Sequence, residues 1–212
     1  MSAVLLLGGC QGGTPSETST TTAPPTPGSS APGSSSPGTP APGTAGASTA
    51  GTLSPSGVYK PADATGKARN VPVPVMPALA KENTKEGLEA FIRYWFQLLS
   101  YSYETGDTAR VAAVTSEGCT LCAYLASSIQ TNYEGGRWVS GGSLQTPVVE
   151  ASWSLSSSSQ QGKVQLIQTE IHYFDAQGSE HRDPTPATND AVAFFADFQD
   201  GAWVATDTGI IR

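Results

Sequence analysis

Asn83-Thr-Lys-Glu-Gly-Leu-Glu-Ala-Phe-Ile-Arg-Tyr-Trp-Phe-Gln-Leu-Leu-Ser-Tyr-Ser-Tyr103 is the stretch on which the fold turns. Leu88, Phe91, Ile92, Trp95, Leu99 and Ser102 recur at three- and four-residue spacing, which puts them on one face of a helix. Asn83-Thr84-Lys85-Glu86 has the form of a capping box, so a helix of about 20 residues is expected to start there. Tyr94, Phe96, Leu98 and Tyr103 widen the apolar arc, as a helix wrapped by a sheet requires. Gly106 supplies a stop, and Asp107 or Thr108 a cap for a short second helix through Val114. A third helix is predicted from Cys119 to Tyr133, with Leu121, Tyr124, Leu125 and Ile129 available for burial and Gly135-Gly136 ending it.

After Gly136 the hydrophobic period changes to two. Arg137 to Ser140 reads as a short strand. Val149, Ala151, Trp153 and Leu155 alternate with Val148, Glu150, Ser152 and Ser154, and after a polar turn Ile167, Thr169, Ile171 and Tyr173 alternate with Leu166, Gln168, Glu170 and His172. Gly178 to Asp190 reads as a loop containing Pro184 and Pro186. Val192, Phe194, Ala196 and Phe198 then lead through Gln199-Asp200-Gly201 into a last strand, Trp203 to Thr208. Helices first and antiparallel hairpins afterwards make an α+β class, with three N-terminal helices packed on one curved antiparallel sheet of four to five strands.

That element order, the long aromatic first helix, Thr105-Gly106-Asp107-Thr108 and the closing Gly201-Ala202-Trp203-Val204-Ala205-Thr206-Asp207 resemble the nuclear-transport-factor-2-like cone, also called cystatin-like or SnoaL-like. With Cys119-Thr120-Leu121-Cys122, Tyr133-Glu134-Gly135-Gly136-Arg137-Trp138 and the amino-terminal features below, the chain also resembles an uncharacterised actinobacterial lipoprotein domain family of unknown function. The resemblance implies a fold and a cellular setting, and it brings no activity.

Composition divides the 212 residues in two. Between Gln11 and Tyr59 there is one charged residue, Glu17, with nine of the 16 prolines and nine of the 23 glycines; from Pro77 onward lie all four Trp and all six Phe. The first segment has almost nothing to bury against a backbone entropy of about 1–2 kcal/mol per residue. Residues 11–76 are therefore expected to be a disordered Pro/Gly/Ser/Thr-rich stalk, with an average span on the order of 45 Å, and residues 77–212 the folded domain. Lys60, Lys67 and Arg69 fall in the stalk as solvated charges, and Val71-Pro-Val-Pro-Val-Met-Pro77 is an extended strap whose apolar residues can lie against the domain.

Residues 1–10, Met-Ser-Ala-Val-Leu-Leu-Leu-Gly-Gly-Cys, are an apolar run ending in small residues and a cysteine. The run is too short to span a membrane, which takes about 20 apolar residues, and it has the form of the end of a secretory signal whose charged start is missing. Leu7-Gly8-Gly9-Cys10 resembles a lipobox, which implies acylation of Cys10 by palmitate-type chains and anchoring at the outer face of the cell membrane.

Cys119 and Cys122 form a C-x-x-C, for which a disulfide is the default in an exported chain, with redox-active and reduced or metal-bound states as alternatives. His172 and His181 with no second cysteine pair do not make a zinc set, and no metal or cofactor is expected. Nucleophile-elbow, zincin and phosphate-loop motifs are missing from the sequence. In a cone, Tyr94, Glu170, His172 and Asp197 are the candidate acids and bases, although Glu170 and His172 share a strand face and suit a solvated surface equally. Asp107 reads as a helix cap and His181 as a loop residue. Phe91, Tyr94, Trp95, Trp153 and Tyr173 are the candidates to line a cavity.

From Pro77 onward eight Lys and Arg face 16 Asp and Glu, which argues against nucleic-acid binding. The expectation is a lipid-anchored extracytoplasmic protein with a non-catalytic domain that binds an unknown protein or small molecule of the cell envelope. The alternative is a small cone-fold enzyme acting on an envelope or imported metabolite.

Overall fold

The computed structural model describes residues 57–212. Cys10, the lipobox and most of the stalk lie outside the described residues. Helix α1, Lys85–Thr105, is capped by Thr84, whose hydroxyl accepts from the Gly87 amide at 3.0 Å. The cap falls one residue later than Asn83, so Glu86 does not close a capping box and instead sits in the first turn, where a carboxylate favours the helix dipole. The helix ends at Gly106, left-handed at φ 78°. A side chain there would also stand 2.6 Å from the Tyr133 ring.

Helix α2, Ala109–Ala112, is a single turn, and α3, Thr120–Tyr133, buries only Cys122 and Ile129. The three helices expected to pack on the sheet contribute unequally: α1 supplies most of the helical core, burying Leu88, Phe91, Ile92, Trp95, Phe96, Leu98 and Leu99, while α2 adds Val111. α3 covers it from outside, with Tyr124 68% exposed.

Seven strands follow: β1 Trp138–Gly141, β2 Leu144–Ser152, β3 Ser159–Gln168, β4 Ile171–Phe174, β5 Glu180–Thr185, β6 Thr188–Gln199 and β7 Ala202–Ile210. They form two antiparallel sheets, β1-β4-β5 and β2-β3-β6-β7, where one sheet of four to five strands was expected. The difference has three local causes. The strand predicted through Tyr173 breaks at Thr169-Glu170, where the chain leaves β3 for β4. The polar run Ser159 to Lys163 is not a turn but the start of β3, with Gln160, Gly162 and Val164 buried and the alternate residues in solvent. Gly162 faces inward because α1 packs so close that a Cβ would meet Ile92 Cδ1 at 2.5 Å. Finally, Glu180-His-Arg-Asp-Pro-Thr185, expected as loop, is an edge strand, a place that tolerates charge and proline.

The aromatic core lies between α1 and the four-stranded sheet. Phe194 of β6 stands 5.3 Å from Trp95 and 6.3 Å from Phe91, ring centre to ring centre, and Trp203 stacks on Phe91 at 6.4 Å. Both indole donors are satisfied: Trp95 Nε1 bonds Thr115 at 2.8 Å and Trp203 Nε1 bonds the Glu82 carbonyl at 3.0 Å. Three α1 side chains tie down the edge strand β2. Glu89 accepts from Ala151 N, Ser100 accepts from Leu144 N, and Arg93 donates to the Thr146 carbonyl beside a β2 bulge.

The boundary expected at Pro77 is also corrected. Lys60 pairs with Arg69 and Asp63 with Gly66 as a small antiparallel hairpin, turned by Asp63 accepting from Thr65 N at 2.7 Å. This hairpin covers β1 and β4: Trp138 Nε1 donates to Asp63 O at 2.9 Å, Ser140 Oγ to Ala62 O at 2.7 Å, and Ala62 packs with Trp138 and Phe174. Lys67 lies 5.6 Å over the Tyr133 ring, so the basic residues belong to the folded surface. The hairpin escapes a hydrophobicity count because backbone bonds and two alanines, Ala62 and Ala68, hold it. No helix among the described residues is long and apolar enough to cross a membrane.

Candidate functional site

A cleft of about 250 Å³ opens between α1, α3 and the end of the four-stranded sheet. Its walls are mainly apolar: Trp95, Phe96 and Leu99 from α1, Leu121 and Leu125 from α3, Leu144, Leu166 and Val192 from the strands. The alternation of strands β3 and β6 decides which polar groups join them. Leu166 pairs with Asp190 and Gln168 with Thr188, so the inward positions at this end of the sheet carry an amide, a hydroxyl and a carboxylate. Tyr103, at the last turn of α1, adds a phenol whose pKa burial pushes up, against a lowering effect of the Gln168 side chain. Thr208 is the remaining hydroxyl, and it is already spent on the Ala193 carbonyl at 3.0 Å.

A second cleft, of about 180 Å³, lies on the other side of α3 and shares Trp95 and Leu99 with the first. Its floor is the Cys119–Cys122 disulfide, with the two residues 1% and 9% exposed. The bridge closes the first turn of α3, and Cys119 Sγ also accepts from the Cys122 amide at 3.3 Å as the helix cap. Gln130 near the other end of α3 donates to Thr108 at 2.8 Å, and Tyr133 donates to the Tyr103 carbonyl at 2.7 Å. α3 is therefore held at both ends above a partly hollow middle.

Of the five residues expected to line a cavity, Trp95 lines both clefts and the other four stand elsewhere. Phe91 is fully buried in the aromatic core. Tyr94 is a half-buried neighbour of that core, its phenol pKa raised by burial and lowered somewhat by Arg110. Trp153, beyond the end of β2, donates to Asn83 at 3.2 Å. Tyr173 belongs to the smaller sheet, where its hydroxyl meets Thr185 at 2.7 Å and the Arg182 guanidinium sits 3.4 Å over its ring. All four are aromatic residues at core spacing, and the fold uses them as packing.

The candidate acids and bases are likewise outside the cleft. His172 is on β4 between Glu170 and Glu180, at 2.8 and 2.7 Å. Asp197 alternates with the buried Phe194 and Ala196 and so faces away from α1, with Oδ1 buried and unpartnered. Asp107 accepts from Ala109 N at 3.0 Å at the start of α2, and His181 is exposed. Among the described residues no cluster of three or more His, Cys, Asp or Glu could hold a metal ion. Of the cleft residues missed from sequence, Gln168, Thr188 and Asp190 become visible only through the β3–β6 register, and Tyr103, read there only as part of the apolar arc of α1, joins them at the last turn of that helix.

Residues 57–209 match the model of a family described as "Family of unknown function (DUF6318)". The chain belongs to the DUF6318 family. That span includes the hairpin before Pro77, in agreement with its packing on β1 and β4. No curated protein matches this DUF6318 chain. Solved structures similar to it include the intermembrane space region of the chloroplast protein ARC6, 8% identical with a TM-score of 0.47 over 62% of this chain and 98% of that one. An uncharacterised protein with a cystatin-like fold from Caulobacter vibrioides is 14% identical, TM-score 0.39, over 57% of this chain and 87% of that one. Aln2 from a Streptomyces species is 10% identical, TM-score 0.40, over 62% and 94%. Likenesses at this level fix neither a ligand nor a reaction.

Proposed function

We propose that this DUF6318 protein is a lipid-anchored extracytoplasmic binding protein, acylated at Cys10 and carrying on a polar stalk a cone-like domain that holds a small, largely apolar ligand without altering it. The observation that carries the binding reading is the α1–α3 cleft, with apolar walls and a few polar groups gathered at one end, the usual make-up of a small-molecule site. Its volume lies a little below the roughly 300–1,000 Å³ of such sites, which suits a compact ligand. The buried Cys119–Cys122 bridge serves in this reading as a clamp on α3.

The anchor rests on Leu7-Gly8-Gly9-Cys10 and the polar sequence after it. Cys10→Ala, expressed behind a complete secretion signal, is expected to move the protein from the membrane fraction to the soluble one; retention in the membrane would overturn the anchor. For the cleft, native mass spectrometry of the full chain from envelope extracts is expected to show a bound mass that Leu166→Trp, which fills the cleft, removes. The enzyme alternative draws on Asp190 and Tyr103 of the same cleft, and it is favoured instead if the bound compound is recovered chemically changed after incubation.

A further inference from the structure

Asp190 is a charged side chain in a place that the fold does not explain. It occupies an inward position of β6, opposite Leu166 and two residues before Val192, on the face whose next members are Phe194 and Ala196. Aspartate is disfavoured in strands. Elsewhere aspartates do local work: Asp63, Asp107 and Asp175 each accept from backbone amides in turns or at a helix start. Protection of a sheet edge is not at issue, because β6 lies between β3 and β7. None of the ion pairs among the described residues includes Asp190. The cleft lining contains no lysine or arginine and no second acid.

Resting on the binding reading above, we infer that the cleft selects a small free amine, with Asp190 pairing the ligand's ammonium group and the Trp95–Leu99–Leu166 wall holding its apolar body. The geometry supplies the other parts of such a site. Tyr103 places an aromatic ring in the same lining, a surface that attracts cations. Gln168 offers its side-chain amide to the same cleft, opposite Thr188 in the β3–β6 register. From Gly57 onward 11 Lys and Arg face 17 Asp and Glu, so the surrounding field favours a cation and opposes a carboxylate or phosphate. The apolar walls fit a short alkyl or aryl body and not the polar linkage beneath a phospholipid headgroup.

The test uses three six-carbon probes on the full chain, n-hexylammonium, n-hexanol and n-hexanoate, titrated by calorimetry and by tryptophan fluorescence. Hexylammonium is expected to bind about tenfold or more tighter than hexanoate, with an affinity that falls as salt is added. Asp190→Asn is expected to abolish that preference while leaving hexanol binding unchanged, and Asp190→Glu to retain it, which separates loss of charge from loss of fold. Equal or tighter binding of hexanoate, or a preference that survives in Asp190→Asn, overturns the amine assignment and leaves the apolar cleft standing. If none of the three binds, the cleft reading fails and the assignment with it. Flotation with phosphatidylethanolamine vesicles in the absence of hexylammonium binding would likewise overturn the free-amine assignment.

Discussion

His172 stands between two carboxylates, with Nδ1 2.7 Å from Glu180 and Nε2 2.8 Å from Glu170, and its ring lies nearly parallel to Phe174. The Glu180 hydrogen bond is the main cause that raises its pKa above the ordinary 6.5; burial opposes it, and the Glu170 and Glu180 charges with the Glu170 hydrogen bond add to the rise. A folded-state pKa above the unfolded one stabilises the protein fully below the unfolded value, and that stabilisation is lost as pH rises through the folded value. The side chain is 37% exposed, so solvent screening holds the effect below about 1 kcal/mol. His172→Gln is therefore expected to lower Tm more at pH 5.5 than at pH 8, and the imidazole proton resonances to titrate above the value for a free histidine. A Tm difference that is the same at both pH values would mean that the pair carries no net protonation linkage. The cluster lies on the smaller sheet, and none of its members lines the α1–α3 cleft, so binding there is expected to be indifferent to the substitution.

At the scale of elements, α3 is the part whose stability and function meet. It has few buried residues of its own, it separates two hollows that share Trp95 and Leu99, and the disulfide fixes its first turn. Closing so short a loop removes about 2 kcal/mol of unfolded-chain entropy in the loop model. The Cys119→Ser, Cys122→Ser double variant is expected to lose about that much stability in urea denaturation. Hydrogen exchange should rise through α3 while the α1 amides stay protected; uniform acceleration across both helices would show that α3 is part of the global unit and not an outer layer. The same contrast explains which elements are legible in the sequence. The spacing of Leu88, Phe91, Ile92, Trp95 and Leu99 shows the α1 core face because one helix has to bury itself against a sheet, and the alternation of Val192, Phe194 and Ala196 shows β6 for the same reason. β5 and the first half of β3 are hidden because an edge strand and a solvated face make polar sequence permissible. The cleft is hidden more deeply: Trp95 can be read as apolar, but whether Asp190 meets Leu166 or a neighbour depends on register, which one residue of slip would reverse.

The whole molecule has a different amino-terminal limit from the one its composition suggests, and the difference is measurable. Tyr59 donates to Glu104 near the end of α1, and burial, with that bond and the Glu104 charge, pushes the phenol pKa up to about 12. The hairpin beyond it shields Trp138 and Phe174, which stack at 5.7 Å and are 6% and 7% exposed. Met76 of the following strap packs on the main core, so the segment before Pro77 touches both sheets' apolar surfaces. A protein beginning at Gly57 is accordingly expected to unfold in one cooperative step. One beginning at Pro77 uncovers two large aromatic side chains, each worth about 1.5–3 kcal/mol when buried, and should unfold at lower urea and bind hydrophobic dyes before doing so. Equal midpoints for the two would mean that the hairpin merely rests on β1 and β4.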